Sequence, residues 1–170
     1  MSDGAHDCDD AHGDQTGAPP LTRAETLVLW AIRAWVAGHR HGIPVIANLR
    51  TAFRNEGAPA AAEAVDDLMG FIANGAGRTI QVNCPRCRQV TEDERLLLDI
   101  VALHQQGETL WAPFLARAIL TPAATRLCGL PFAAVADALQ DGGIVLPAVA
   151  GQVPPPEAAA HAVPSGTTIH

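Results

Sequence analysis

The residues that start and stop helices are the feature that most constrains the fold of this chain. Two capping boxes, each a Thr followed three residues later by a Glu, stand at Thr22–Glu25 and Thr91–Glu94. Elsewhere prolines and glycines alternate as helix starts and stops, since proline suits the first helical turn and glycine the residue after the last. The pattern predicts helices over about 22–38, 44–57, 59–74, 91–106, 113–120, 122–128 and 131–140.

The apolar composition agrees with a helical core. Hydrophobic residues make up 48% of the 170 residues, aromatic residues only 4%, and tyrosine is absent. A core built from Ala and Leu suits closely packed helices better than a sheet. Only Thr79–Val82 favours an extended conformation, and one strand cannot form a sheet. We therefore predict an all-α fold: a compact bundle of about six or seven short helices with a CxxC-bearing loop.

Charge and composition divide the chain into three parts. Residues 1–20 hold five aspartates and no arginine, and residues 147–170 are rich in Pro and Ala. We predict a disordered acidic tail over 1–20, a helical domain over 21–146 and a disordered tail over 147–170. Most of the net charge of −7 then belongs to the first tail, because residues 21–150 hold twelve acids against eleven arginines. A nearly neutral domain with few aromatics is a poor candidate for nucleic-acid binding.

No segment has the pattern of a targeting signal or of a membrane-spanning helix. The acidic start is unlike a signal peptide, and the most apolar run, "LVLWAIRAWVAG", contains Arg33 and is too short for a bilayer. We therefore expect a cytoplasmic protein without a membrane partner. In the cytoplasm thiols stay reduced, so paired cysteines are more often ligands or catalysts than structural disulfides.

The sequence Cys84-Pro85-Arg86-Cys87 carries the strongest chemical signal. Two thiolates separated by two residues can bind one tetrahedral metal ion, because a tight turn brings both sulfurs to the same side. With its extended lead-in, the motif looks like one half of a zinc ribbon or knuckle. A second CxxC is absent, so other residues would have to complete the site.

Candidates for the missing ligands are one cysteine and three histidines. Cys128 with one of His39, His41 or His104 would make a Cys3His zinc site, and an iron–sulfur cluster is the less favoured alternative. Each candidate also has a plain interpretation. Cys128 fits a buried helical position, His104 a hydrogen-bonded core position, and His39 and His41 an exposed helix end. The acidic tail holds His6, Cys8 and His12, which suit either weak metal binding or a solvated tail.

Three functions stay open from the sequence. The favoured one is a small cytoplasmic accessory or regulatory protein that contacts another protein and binds a structural metal through its CxxC turn. The second is a thiol redox switch or iron–sulfur protein, although redox CxxC enzymes place the motif in a βαβ unit that this chain lacks. The third is a metal-free helical interaction domain. A non-enzyme is favoured, since neither a GxSxG nor an HExxH motif occurs.

Overall fold

Residues 20–149 are described by a computed structural model and form a compact bundle of seven α-helices. The helices are α1 Arg23–His41, α2 Ile46–Asn55, α3 Ala61–Gly75, α4 Glu92–Gln105, α5 Trp111–Ala116, α6 Pro122–Leu127 and α7 Gly129–Asp141. The predicted all-α bundle is confirmed. The predicted tails lie outside the described residues apart from Pro20 and 147–149, so the three-part division stays a prediction.

The core lies where α7 packs against α3 and α4. Helix α1 covers α3 and α4 from another side, α2 packs on α3, and α5 packs on α4. Burying one such Leu, Ile, Val or Phe side chain stabilises the fold by roughly 1.5–3 kcal/mol. The largest fully buried apolar side chains are Phe53, Phe132, Leu49, Leu97, Leu98, Ile100, Ile119 and Leu139.

Both capping boxes form as predicted. Thr22 Oγ1 accepts the Glu25 N–H at 3.2 Å, and the Thr22 N–H donates to Glu25 Oε2 at 2.8 Å. The corresponding distances for Thr91 and Glu94 are 3.1 Å and 2.9 Å. These bonds satisfy backbone donors that a helix start otherwise leaves unpaired. The starts of α1 and α4 are therefore fixed by the sequence itself.

Helix α1 runs past Gly38, where we predicted its end, to His41. Gly38 is needed for a close approach instead: a Cβ there would lie 2.4 Å from a Val45 methyl and 2.6 Å from the Ile43 carbonyl oxygen. The helix ends at Gly42, whose φ of 65° is the left-handed conformation that glycine adopts without cost.

The prolines of α5 and α7 lie inside the first turn rather than at the first residue. These helices begin two residues before Pro113 and Pro131, because any proline among the first residues lacks only an N–H that has no helical partner. Helix α5 also ends at Ala116, short of the predicted end near Leu120. Leu120 forms an isolated antiparallel bridge with Ala76 just after α3.

The surface of the described residues carries exposed apolar side chains near α5, α6 and α7. Phe132 is buried, whereas Phe114 is 50% exposed and Trp111 packs edge-on against it. Leu110, Leu127 and Leu130 are exposed as well. Within residues 20–149 no helix has both the length and the apolar character to cross a membrane.

Candidate thiol site

Residues 84–87 form a tight turn on the surface between α3 and α4. The Cys87 N–H donates to the Cys84 carbonyl oxygen at 3.1 Å, which closes a four-residue β-turn with Pro85 in its second position. No non-glycine residue among the described ones has a positive φ, which excludes a type II turn at Arg86 and leaves type I geometry. Cys84 is exposed and Cys87 is half-buried, so the turn presents both thiols near solvent.

Arg33, a buried arginine of α1, supports the turn through hydrogen bonds. Arg33 Nη1 donates to the Cys87 carbonyl oxygen at 2.5 Å, and Arg33 Nη2 donates to the Gln89 carbonyl oxygen at 2.6 Å. The Arg33 side chain is only 4% exposed. One cation therefore bonds the backbone carbonyls of the last turn residue and of Gln89 just after it.

Glu94, in the first turn of α4, completes this anchor. Its carboxylate pairs with Arg33 through two bonds, at 2.7 Å to Nε and 2.8 Å to Nη2. Glu94 Oε1 also accepts the Asn83 N–H at 2.9 Å, in the arm that precedes the turn. Glu94 is fully buried, and a buried charge needs such complete pairing. We define the Arg33–Glu94 anchor as this ion pair with its bonds to Asn83, Cys87 and Gln89.

The segment before the turn is fixed by Asp93, the acid that precedes Glu94 in α4. Asp93 Oδ2 accepts the Gln81 N–H at 2.7 Å, and both carboxylate oxygens accept Arg78 donors at 2.8 Å and 2.6 Å. These bonds, with Arg78 first, lower the pKa of Asp93. Residues 79–82 are non-helical, as predicted, and bind the start of α4 instead of another strand.

Cys128 lies apart from this surface turn, in the core. It is fully buried at the junction of α6 and α7, and its Sγ donates to the Thr125 carbonyl oxygen at 3.1 Å. Burial raises the pKa of the Cys128 thiol. A buried thiol that bonds its own helical turn fits the packing interpretation of this cysteine.

The three candidate histidines occupy two unrelated environments. His39 and His41 are exposed at the end of α1, where His39 stacks on Trp35 with ring centroids 4.8 Å apart. His104 stacks on Phe132 at 6.1 Å, and burial lowers its pKa. Its Nε2 atom is buried, without a hydrogen-bond partner among the described residues, so the expectation of a hydrogen-bonded core histidine is wrong at that nitrogen.

Among the described residues, the turn joins the backbones of Cys84 and Cys87, and no third ligand is grouped with them. Within residues 20–149, no three His, Cys, Asp or Glu side chains are grouped so that they could hold a metal ion. Cys128, His104, His39 and His41 thus form no ligand set with Cys84 and Cys87 in this arrangement. The turn by itself supplies two sulfur donors.

Sequence reasoning missed the Arg33–Glu94 anchor. Arg33 interrupts an apolar helix, and we treated it only as a break in a hydrophobic run; Glu94 we treated only as a cap. The available signal was an arginine on the buried side of a helix, because a buried charge requires a partner. Finding which partner it takes required the three-dimensional structure.

A second arginine–glutamate pair joins the same two helices. Arg95 Nη1 of α4 donates to Glu25 Oε1 of α1 at 2.5 Å, so the capping glutamate of each helix binds an arginine of the other. Arg95 is 39% exposed and lines a surface cleft with Glu25 and Asp99. Burial raises the pKa of Asp99.

Comparisons with protein-family models, with curated proteins and with solved structures find no match to this chain. The assignment of a function therefore depends on the geometry of the turn and on the chemistry of its two thiols.

Proposed function

We propose that this protein is a small cytoplasmic accessory or regulatory protein that acts through contact with another protein and binds a structural metal ion, zinc, at its Cys84–Cys87 turn. The observation that carries the proposal is the anchored type I turn, which presents two thiols from a rigid support. Zinc favours thiolate ligands in such turns and requires four ligands in a structural site. The remaining ligands come from outside residues 20–149, either from His6, Cys8 and His12 of the same chain or from the partner protein.

A dithiol switch is the second candidate, and the lack of a third ligand among residues 20–149 favours it. The Cα atoms at the ends of a β-turn lie within about 7 Å, which overlaps the spacing that a disulfide requires. Oxidation would join the two sulfurs, release two protons and pass two electrons to a disulfide oxidant, which becomes two thiols. This function needs only the two cysteines of the turn.

Metal analysis of the full chain separates these functions. The protein is purified without oxygen and without chelators, and its zinc, iron and visible spectrum are measured. Zinc that is lost in Cys84→Ser but kept in Cys128→Ala supports the metal site. Cys128→Ala is the matched control because it removes a thiol from the core and leaves the turn unchanged.

The other outcomes each favour a different function. A brown colour with acid-labile sulfide indicates an iron–sulfur cluster. A metal-free protein in which a disulfide oxidant reversibly joins Cys84 to Cys87 indicates the switch. A metal-free protein with two unreactive thiols contradicts both and leaves a helical interaction domain. If Cys8→Ser also loses zinc, the N-terminal segment supplies a ligand.

A further inference from the structure

We propose that Arg33 and Glu94 are positioning residues that hold the Cys84–Cys87 turn in its ligand-binding geometry. This inference rests on the proposed function of the turn as a two-thiol site. It adds that the affinity of the turn for a thiol-binding metal is set by the buried pair beneath it, which itself touches no metal.

The bonds of the anchor reach both arms of the turn. Glu94 accepts the backbone N–H of Asn83 before the turn, and Arg33 donates to the carbonyls of Cys87 and Gln89 after it. The Asn83 side-chain amide also donates to the Gln89 carbonyl oxygen at 3.0 Å, which ties the two arms together. The spacing of the arms, and therefore of the two cysteines, depends on these polar contacts.

Apolar packing cannot replace the anchor at the turn itself. Cys84, Pro85 and Arg86 are exposed, and the nearest apolar contacts with the core come from Val82 and Val90, which lie outside residues 83–89. Backbone carbonyls that face a buried side need donors, and the guanidinium supplies them in a fixed planar arrangement. The anchor is thus a polar support for the segment between the two valines.

Fold stability alone does not explain an ion pair at this position. A buried pair costs desolvation, and replacing both partners with apolar or neutral residues of similar size is often neutral or stabilising. What an apolar residue at position 33 cannot provide is a set of donors for the Cys87 and Gln89 carbonyls. Turn geometry and global stability can therefore be separated by changing both partners together.

The Arg95–Glu25 pair provides a matched control. It joins the same two helices and also uses a capping glutamate, yet its arginine lies by the cleft at Leu98 and Asp99 rather than under the turn. The test compares Arg33→Met/Glu94→Gln with Arg95→Met/Glu25→Gln in the full chain. Gln retains the capping-box chemistry of both glutamates.

Two measurements are made on each variant. Hydrogen exchange of the Cys87 amide, followed by nitrogen-15 NMR in the reduced metal-free protein, reports whether the turn stays closed. Titration with cadmium, followed by thiolate-to-metal absorption, reports binding by the two thiols. Melting temperatures confirm that both variants are folded, and Arg33→Lys provides a second substitution that keeps the charge but loses the planar set of donors.

The inference predicts faster Cys87 exchange and about 10–100-fold weaker cadmium binding in Arg33→Met/Glu94→Gln, the range typical of residues that support metal ligands. Arg33→Lys should weaken binding as well, and the Arg95/Glu25 control should match the wild type. Unchanged exchange or unchanged affinity in the Arg33/Glu94 variant overturns the inference. Wild-type protein that binds no cadmium overturns the metal function instead, and the exchange data still show whether the anchor holds the turn.

Discussion

The cysteines of this chain occupy two regions that differ in how they are held. The Cys84–Cys87 turn lies at the surface and is fixed by hydrogen bonds from Arg33 and Glu94. Cys128 lies in the core and is fixed by packing between α6 and α7. A cysteine thiol is therefore accessible to solvent in one region and shielded from it in the other.

Because of this difference, the reactivity of the thiols and the stability of the fold depend on different regions. An exposed thiol on a polar support can change its ligand or oxidation state without opening the core, whereas a buried thiol with a raised pKa is a poor nucleophile. Substitutions in the two regions should consequently affect different measurements.

Removing one partner of the anchor should have the largest effect. Arg33→Met leaves the fully buried Glu94 carboxylate without its cation, so we expect a loss of about 3–5 kcal/mol in the free energy of unfolding. Urea denaturation at neutral pH measures it. Arg95→Met, at the more exposed pair, should cost less than half as much. Equal losses in the two variants would contradict the distinction between the two pairs.

The contacts of Asp93 should contribute less to the free energy of unfolding, and this contribution should be lost at acidic pH. Asp93→Asn should cost about 1.5–3 kcal/mol, the range for hydrogen bonds to a charged group. Because the folded-state pKa of Asp93 lies below its ordinary value of 3.8, this stabilisation is present above that pH and is lost as the pH falls through the lowered pKa. Urea midpoints of wild type and variant should therefore converge at strongly acidic pH. Glu92→Gln, at an exposed neighbour, is the control and should change little.

Substituting single cysteines contrasts the two regions directly. Cys128→Ala leaves a small cavity in the core and should cost about 1 kcal/mol, a typical loss for a single substitution. Cys84→Ser at the surface should stay within about 0.5 kcal/mol in the reduced, metal-free protein. Thermal denaturation of both variants measures this, and a larger loss for Cys84→Ser would show that the exposed thiol stabilises the fold.

His104 should produce the smallest effect, seen as a dependence on pH. Burial lowers its pKa in the folded state, opposed by Asp137, so the unfolded chain binds a proton first as the pH falls below about 6.5. Stability should decline from there towards the lowered pKa, and His104→Leu should reduce that decline. His41→Gln, at the exposed end of α1, is the control and should retain it.

The fold was largely predictable because its signals are local. Capping boxes and the positions of proline and glycine predicted all seven helices. The predicted helix end at Gly38 was an error, because that glycine allows a neighbouring segment to approach closely and does not end the helix. The Cys84–Cys87 turn was predictable for the same reason, since its residues are adjacent. The Arg33–Glu94 anchor was not, because its partners are separated by 61 positions and meet only after the helices pack.

Differential alkylation of the full chain distinguishes the thiols of the turn from the thiol of the core. Each cysteine is labelled in the reduced, zinc-loaded and oxidised protein, and mass spectrometry reports its protection. The account predicts that Cys84 and Cys87 are protected together, by zinc or by disulfide formation, while Cys128 stays unreactive until the protein unfolds. Reactivity of Cys84 and Cys87 that stays the same in the reduced, zinc-loaded and oxidised protein, or protection of Cys128 that follows zinc or oxidant, would contradict it.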